Sequence, residues 1–307
     1  MEPSHQDNLQ KSFFRSFMRF TVGIFAVLIL ITLGSALLPD RWKSPSGEIA
    51  LVHVSGMLMD SRDIVRQLSD YRRDPQVRGI ILRIDSPGGA VAPAQEIYSE
   101  IMKLRANHKT VYASMGTVAA SGGYYIACAA DYVLANPGTL TGSISAVMAF
   151  NNIEELTKKV GVKPNIIKSG KFKDVGSPLR AMTPEEQKLL QDVVDDVHEQ
   201  FVQAIATGRD MPIAEVHKIA DGRIMTGQQA LKLKLIDEVG GLEKTIELLA
   251  KKLGIVGRPK VIEQKEKVPF LDWLLQGSLS SGLAETLMPS PQPRLQYVWI
   301  PWYNNKL

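Results

Sequence analysis

The chain has 307 residues, of which 45% are hydrophobic and 22% charged, and a formal charge of +4 from 36 basic and 32 acidic side chains. This composition excludes wholesale disorder and a coiled coil, and so small an excess of positive charge argues against nucleic acid as a partner. Cys128 is the single cysteine, so an intramolecular disulfide and a cysteine-only metal site are excluded. We expect neither a metal nor a cofactor.

One long uncharged segment lies near the N-terminus. Residues 20–38 (FTVGIFAVLILITLGSALL) contain no charged side chain, and as a helix rising about 1.5 Å per residue they roughly span a hydrocarbon core of about 30 Å. Three basic residues lie between positions 11 and 19, and two between positions 40 and 43. The positive-inside tendency then predicts a cytoplasmic segment 1–19, a transmembrane anchor 20–38 and an external remainder.

A cleavable signal peptide is the alternative interpretation of this segment. Gly34 and Ala36 are small enough to stand at a cleavage site. The apolar run is, however, longer than the central region of an ordinary signal peptide. The sequence therefore favours an uncleaved, single-span anchor.

Strand and helix patterns alternate after a short linker at 43–47. The apolar runs of strand length are 48–54, 79–84, 110–114, 132–135, 143–150 and 164–167. Helical patterns lie at 61–72 and 95–104. This βαβ alternation predicts an α/β fold with a mainly parallel sheet covered by helices.

The second half is predominantly helical in pattern. Thr183 opens a capping box with proline at the first helical position, and a long helix with one buried stripe is predicted from there to Gly208. The stripe consists of Leu190, Val193, Val194, Val197, Phe201 and Ile205. Shorter helices are predicted at 213–220, 227–233 and 242–253. Residues 263–307 form an aromatic, proline-interrupted tail, which we expect either to dock as a strand or to lie at a membrane interface.

Two glycine-rich turns carry the candidate chemistry. The turn at 85–89 (DSPGG) follows a buried strand, and exposed N–H groups in such a turn can stabilise an oxyanion. Ser121 lies in the sequence AASGGYY, where a strand gives way to a helix between small residues. A hydroxyl at a helix N-terminus suits a nucleophile, although a plain N-cap serine is the simpler alternative.

A nucleophilic serine needs a base. The histidines are His5, His53, His108, His198 and His217. None has a motif to recommend it, and His198 is interpreted as a surface residue, although spacing does not exclude a Ser-His-Asp triad. The lysines of the 169–174 loop (SGKFKD) are the other candidates, because a lysine with a lowered pKa is the base of Ser-Lys dyads. On residue type alone, a loop lysine is usually a solvated charge.

Four motifs follow one another along the chain: DSPGG, AASGGYY, SGKFKD and, at 221–230, DGRIMTGQQA. Over about residues 48–250 they resemble the signal peptide peptidase A family of S49 serine peptidases, in its short, single-unit bacterial form. The resemblance implies a ClpP/crotonase-like fold for residues 46–262 and a Ser-Lys dyad. It implies Ser121 as the nucleophile, Lys173 as the general base with Lys171 as the fallback, and Gly88 as the donor of an oxyanion-hole N–H.

The resemblance also implies a location and an assembly. Members of the family cleave signal-peptide remnants and other apolar peptides at the extracytoplasmic face, so we expect a single-pass protein of a bacterial inner membrane. Members form ring- or dome-shaped homo-oligomers, and the short form shares its sites between protomers. Ser121 and Lys173 are then expected to come from different chains.

Two departures from the family pattern bear on specificity rather than on the dyad. Ser145 and Ala146 stand where members usually carry a Gly-Val-like pair, and Lys234 replaces a common glycine. Residues 146–148 are predicted to line an apolar subsite or, more simply, to form a core strand.

Three other functions remain open at this point. A related Ser-Lys peptidase would trim one specific membrane partner, such as a stomatin-like protein. A crotonase-like acyl-CoA enzyme would share the fold, but CoA substrates are cytosolic and the domain is predicted to be exported. A non-catalytic scaffold would keep the fold without using Ser121 or Lys173.

Overall fold

The computed structural model describes residues 49–263 and 296–298, together with Met18 and Gly23, which are both helical. Contacts divide the chain into two units, Met1–Pro45 and Ser46–Leu307. No helix among the described residues is long and apolar enough to cross a membrane. Apart from Met18 and Gly23, the predicted cytoplasmic segment 1–19 and anchor 20–38 lie outside the described residues.

The described part of the second unit contains nine strands and eight helices. The strands are β1 (Ile49–Leu58), β2 (Gly79–Ala90), β3 (Thr110–Ala120), β4 (Tyr132–Ala135), β5 (Leu140–Gly142), β6 (Ile224–Thr226), β7 (Glu238–Val239), β8 (Val261–Glu263) and β9 (Gln296–Val298). The helices are α1 (Arg62–Arg73), α2 (Val91–Ala106), α3 (Gly122–Ala127), α4 (Glu154–Lys159), α5 (Pro184–Gly208), α6 (Ile213–His217), α7 (Gly227–Lys232) and α8 (Leu242–Lys252).

The strands form one predominantly parallel sheet, as the βαβ pattern predicts. Its main path runs β6-β5-β3-β2-β1-β8, and β4, β7 and β9 pair to the side of that path. The first half of β3 is parallel to β4, whereas its last residues, Val118–Ala120, pair with β5. Register shifts lie at Ser55–Met57 in β1 and at Ile84–Ser86 in β2. The long central strands are therefore irregular, or change partner, near their carboxyl ends.

Both faces of the central strands are buried, which explains their nearly continuous apolar sequences. Alternate residues such as Val52 and Leu82 join one core with α2, α3 and α5. The intervening residues, Leu51 and Ile81 among them, pack against Leu249 of α8 on the opposite face. The first halves of β1, β2 and β3 are thus held between layers on both sides.

Two predicted strands are wrong. Residues 143–150 and 164–167 are irregular, apart from an isolated bridge at Val147, and the strand in this region is the shorter β5. Gly142 and Ser143 have φ angles of 81° and 51°, so the chain leaves the extended conformation before the apolar run begins. Ile167 is 96% exposed, so its apolar segment has no layer to join.

The long helix α5 forms as predicted, but its stripe is buried over only part of its length. Thr183 and Glu186 make the predicted capping box. Val197, Phe201 and Ile205 are buried, whereas Val193 is 41% exposed. The prediction of one continuous buried stripe is therefore wrong for the first turns of α5. The predicted helix 213–220 is also shorter, because α6 ends at His217.

A long segment between β5 and the first turn of α5 lies outside the buried core. We call residues 145–185 the arm, and none of them is buried. Its exposed apolar side chains are Val147, Ile153, Leu156, Val160, Val162, Ile166 and Ile167. Val147 is 41% exposed, so the predicted core strand at 146–148 does not exist, whereas the subsite predicted there stays a prediction.

Candidate active site

Ser121 occupies the abrupt turn from β3 into α3. Its backbone has φ 53° and ψ −118°, a conformation that is rare for residues other than glycine and costs about 1–3 kcal/mol. Its N–H donates to the carbonyl of Gly142 at 2.8 Å, and its carbonyl accepts from the N–H of Tyr125 at 2.8 Å. Neighbouring backbone therefore holds Ser121 in a strained conformation that it would not adopt by itself.

The hydroxyl of Ser121 is buried and uncommitted. Ser121 is 1% exposed and stands at the N-cap position of α3, yet its side chain makes no cap hydrogen bond. Within the described part of the chain, its Oγ has no hydrogen-bond partner. Because a buried unpartnered hydroxyl costs about 1–3 kcal/mol, such an atom calls for a functional explanation. The plain N-cap interpretation of Ser121 is therefore wrong.

The DSPGG turn packs directly against the start of α3. A Cβ atom on Gly88 would lie 2.7 Å from the nitrogen of Gly122, so only glycine permits this approach. Gly88 has φ +99°, and its N–H donates to Ser86 Oγ at 3.1 Å. That bond engages the N–H that the resemblance assigns to an oxyanion hole.

Sequence reasoning missed a second candidate donor at this site. Gly122 is the first residue of α3, and an N–H at that position has no partner inside its own helix. It follows the candidate nucleophile directly, as in other strand-turn-helix sites where the next N–H stabilises an oxyanion. Its place directly after Ser121 is the signal that could have identified it from sequence.

The DGRIMTGQQA motif supports the strand β5, to which the Ser121 turn is hydrogen-bonded. Its strand β6 pairs with β5, with Gly142 opposite Ile224, and the carbonyl of Gly142 is the acceptor for the N–H of Ser121. Thr226 and Gln229 form a capping box that begins α7. The motif therefore fixes the backbone on which the Ser121 turn rests.

The candidate lysines lie on the arm. Lys173 is exposed, and among the described residues its ammonium has no ion pair or hydrogen bond. Lys171, the fallback, forms an ion pair with Glu185, and Lys168 forms one with Asp174. Because Ser121 Oγ bonds to nothing described, one chain by itself does not join Lys173 to Ser121.

An ion-pair network fixes the loop around Lys173. Arg180 binds Asp174 at 3.0 Å and also pairs with Glu186. The guanidinium, followed by Lys168, holds the pKa of Asp174 well below its usual range. Arg180, followed by the N–H of Thr183, lowers the pKa of Glu186 to about 2. The loop backbone is thereby fixed to the start of α5, while the side chain of Lys173 remains unengaged.

No described histidine bonds to Ser121. His53 and His217 pair with Glu263 and Glu199 at 2.6 and 3.2 Å. His198 is half-buried rather than a plain surface residue, and its Nε2 is shielded without a described partner. Across the described residues, no three His, Cys, Asp or Glu side chains come together as metal ligands.

A buried serine at a strained strand-to-helix turn, beside glycine backbone on a parallel sheet, defines the class of α/β serine hydrolases. The Clp protease family model matches residues 53–141, in agreement with a ClpP-like fold. The Peptidase family S49 model matches residues 103–256. The chain belongs to Peptidase family S49 and is a serine-type peptidase.

Several relatives share this similarity. A putative protease of Synechocystis is 42% identical over 209 residues, which cover 68% of this chain and 75% of the relative. The putative signal peptide peptidase SppA of Enterococcus faecium is 36% identical, covering 62% of this chain and 55% of its own length. Protease 4 of Salmonella typhi is 33% identical over 66% of this chain and 35% of that longer protein. Because the family and these relatives are named as peptidases or proteases, the similarities favour a peptidase over an acyl-CoA enzyme or a non-catalytic scaffold.

Proposed function

We propose that the protein is a membrane-anchored serine endopeptidase that degrades signal-peptide remnants and other apolar peptides with a Ser-Lys dyad. Ser121 is the nucleophile and Lys173 the general base. The N–H of Gly122 stabilises the oxyanion, and the N–H of Gly88 joins it by exchanging its hydrogen bond to Ser86 Oγ for one to the oxyanion. The proposal is carried by one observation: Ser121 has a strained backbone and a buried hydroxyl without a described hydrogen-bond partner.

The reaction follows from these roles. The lysine in its neutral form takes the proton of Ser121 Oγ as the oxygen attacks the scissile carbonyl, and it returns a proton to the leaving amine. The backbone N–H groups meet the developing negative charge. Because the lysine must be neutral to act, we expect activity to rise with pH.

The base is proposed to come from a neighbouring copy in a homo-oligomer. The arm contains no buried residue, and it exposes Lys173 together with several apolar side chains. Such a surface is expected to be covered in an assembly. The unengaged Oγ on one chain and the unengaged ammonium on another are complementary, which supports a shared site.

The proposed location rests on sequence. The uncharged run 20–38 would anchor the chain, and the basic residues before it would keep residues 1–19 in the cytoplasm of a bacterium. The peptidase unit would then lie at the extracytoplasmic face of the inner membrane. There it would meet apolar peptides that remain in the bilayer after secretion.

Cleavage of a synthetic signal peptide by the full chain in detergent tests the proposal. Wild type is expected to cleave it, and Ser121→Ala to be inactive with a melting temperature no lower than that of wild type, because the buried Oγ has no partner to lose. Ser114→Ala is the matched control, since Ser114 is a fully buried serine of β3 bonded to Arg83. Equal activity in Ser121→Ala and wild type would overturn the proposal. Cleavage confined to one membrane protein would favour the partner-specific peptidase instead.

A further inference from the structure

The strand that leads to Ser121 is interrupted by a bulge. Between Met115 and Ala119, three residues of β3 (116–118) lie opposite one residue of β2, Asp85. Extra residues of this kind bend a strand and re-aim the residues beyond them, and bulges are frequent next to active sites. The bulge at 116–118 therefore affects the direction in which β3 reaches the Ser121 turn.

The bulge is also where β3 changes its neighbour. Before it, the pairing of β3 with β4 ends at Met115 and Ala135. At its end, Val118 opens the pairing with β5 by lying opposite Leu140. Ser121 follows three residues after this new pairing begins. The position of the candidate nucleophile is thus set by the short segment that leaves the bulge.

The side chain of Asp85, the first residue of the DSPGG motif, supports the bulge from β2. Its carboxyl group lies against Gly116, where a Cβ atom would be 2.7 Å from Asp85 Oδ2, so glycine is required there. Its Oδ1 accepts the N–H of Val118 at 3.1 Å. Asp85 therefore contacts the first residue of the bulge and binds the last one.

Thr139 supports the bulge from the other side of β3. It lies between β4 and β5, is 2% exposed, and its hydroxyl donates to the carbonyl of Gly116 at 2.7 Å. The same oxygen accepts the N–H of Asn136 at 3.1 Å. The backbone carbonyl of Thr139 accepts the N–H of Gly227, in the DGRIMTGQQA motif, at 2.8 Å. Thr139 therefore joins the bulge to the start of α7.

We propose that Asp85 and Thr139 are positioning residues, which hold the bulge at 116–118 in the shape that places Ser121 for attack on the scissile carbonyl. Neither residue bonds to Ser121 Oγ, so both act through the backbone of β3. The proposal rests on the proposed peptidase function and deepens it. The alternative is that both side chains only stabilise the fold. The two differ in whether kcat falls independently of stability.

The role of Asp85 is tested by kcat and KM of the full chain in detergent with the synthetic signal peptide. Asp85→Ala should lower kcat by about ten- to a hundredfold and change KM by less than about twofold, since small misplacements slow the chemical step. Asp85→Asn keeps an oxygen that accepts the N–H of Val118 and should restore kcat to within about threefold of wild type. Asp74→Ala is the control, because Asp74 also accepts a backbone N–H, from Gln76, but lies at the end of α1. It should leave kcat unchanged.

Thr139→Val and a matched control, Thr245→Val, separate positioning from stability. Thr245 is also fully buried, and its hydroxyl donates to the carbonyl of Gly241 at 2.9 Å. Both variants remove a buried hydroxyl donor and should lower the melting temperature, but only Thr139→Val should also lower kcat. Thr139→Ser, which keeps the hydroxyl, should restore kcat. Equal kcat in Thr139→Val and Thr245→Val, or in Asp85→Ala and Asp74→Ala, would overturn the proposal.

Hydrogen exchange separates this proposal from the peptidase proposal, because it needs no catalysis. In Asp85→Ala the amides of residues 116–121 are expected to exchange faster than in wild type, whereas those of α8 should be unchanged. Faster exchange at 116–121 without cleavage by wild type would retain the role of Asp85 in holding the bulge and reject the peptidase function. Cleavage by wild type, with kcat and exchange both unchanged in Asp85→Ala, would retain the peptidase and reject the positioning role.

Discussion

The turn that carries Ser121 and the arm that carries Lys173 are built in opposite ways. Around Ser121 the backbone is strained, every residue of α3 is buried, and glycines allow strand and helix to touch. Along the arm no residue is buried, and the loop is fixed by ion pairs at Asp174 and Glu186 rather than by packing. The conformation of the Ser121 turn is fixed by packing within one chain. The arm instead exposes apolar side chains and Lys173, which are not buried by the described part of the same chain.

This contrast shows which part of the proposed active site is positioned within a single chain. The proposed nucleophile, Ser121, and the proposed backbone donors are positioned by core packing, which is dense and intolerant of displacement. The proposed base, Lys173, lies on a segment with several exposed apolar side chains. A second copy that covers the arm would remove those side chains from water and bring the missing base at the same time.

The largest expected effect is on activity and separates the two arm lysines. Lys173→Ala should reduce kcat/KM by about a thousandfold or more, as loss of one member of a catalytic pair does. Lys171→Ala, which removes an exposed ion pair with Glu185 and a contact with the ring of Phe172, should change it by less than about threefold. Peptide cleavage assays of both variants check this. The reverse order would make Lys171 the base.

The next prediction concerns stability, and it compares the loss of a buried apolar side chain with the loss of an exposed one. Phe201→Ala removes a fully buried ring and should lower the free energy of unfolding by about 3–5 kcal/mol. Ile167→Ala, at a 96% exposed position, should change it by less than about 0.5 kcal/mol. Denaturant unfolding measures both. Ile167→Ala is expected instead to weaken the oligomer, and a large loss in the dissociated chain would show that the arm is part of the core.

A smaller effect tests the strain at Ser121. Ser121→Gly should unfold at higher denaturant concentration than Ser121→Ala, by about 1 kcal/mol or more, because glycine adopts a φ of 53° without the penalty that alanine retains. Both variants lack the hydroxyl and should be inactive, so the comparison isolates the backbone. Equal stabilities would mean that this turn is not strained.

The smallest effect concerns acid. The pKa of Glu186 is lowered to about 2 by Arg180, so its contribution to stability is present above the unfolded value near 4.3 and is lost as the pH falls towards about 2. Hydrogen exchange at the start of α5, corrected for intrinsic rates, should quicken between pH 5 and pH 3 relative to α8. Arg180→Gln should abolish that difference. Protection that stays constant over this range in wild type would contradict the account.

The sequence predicted the framework better than the arm, for a physical reason. Runs such as 79–84 are buried on both faces, so local pattern and tertiary environment agree, and β2 forms there as expected. The run 164–167 is apolar too but has no layer to pack against, and the run 143–150 contacts the core only at its start, through Ile144 and Ala146, so within one chain both remain irregular. Apolar pattern predicts a need for burial, and it does not say whether the same chain supplies the cover.

The candidate site shows the same limit. The position of Ser121 before a helix was evident from AASGGYY, but its positive φ, its unpartnered Oγ and the neighbouring N–H of Gly122 depend on three-dimensional packing. The tail was expected to dock as a strand or to lie at a membrane interface, and β9 docks. Its partner, the glycine turn beside Ser121, is more than 200 residues away in sequence, and no local pattern specifies such a contact.

The most direct test of the shared site is a complementation measurement. Full-length Ser121→Ala and Lys173→Ala chains, each inactive alone, are dissociated, mixed in equal amounts and reassembled in detergent, and mixed oligomers are verified by native mass spectrometry. If each site takes its serine from one chain and its lysine from the next, random assembly should restore about a quarter of wild-type activity. Mixed oligomers that remain inactive would contradict the account and place both residues of the dyad in one chain.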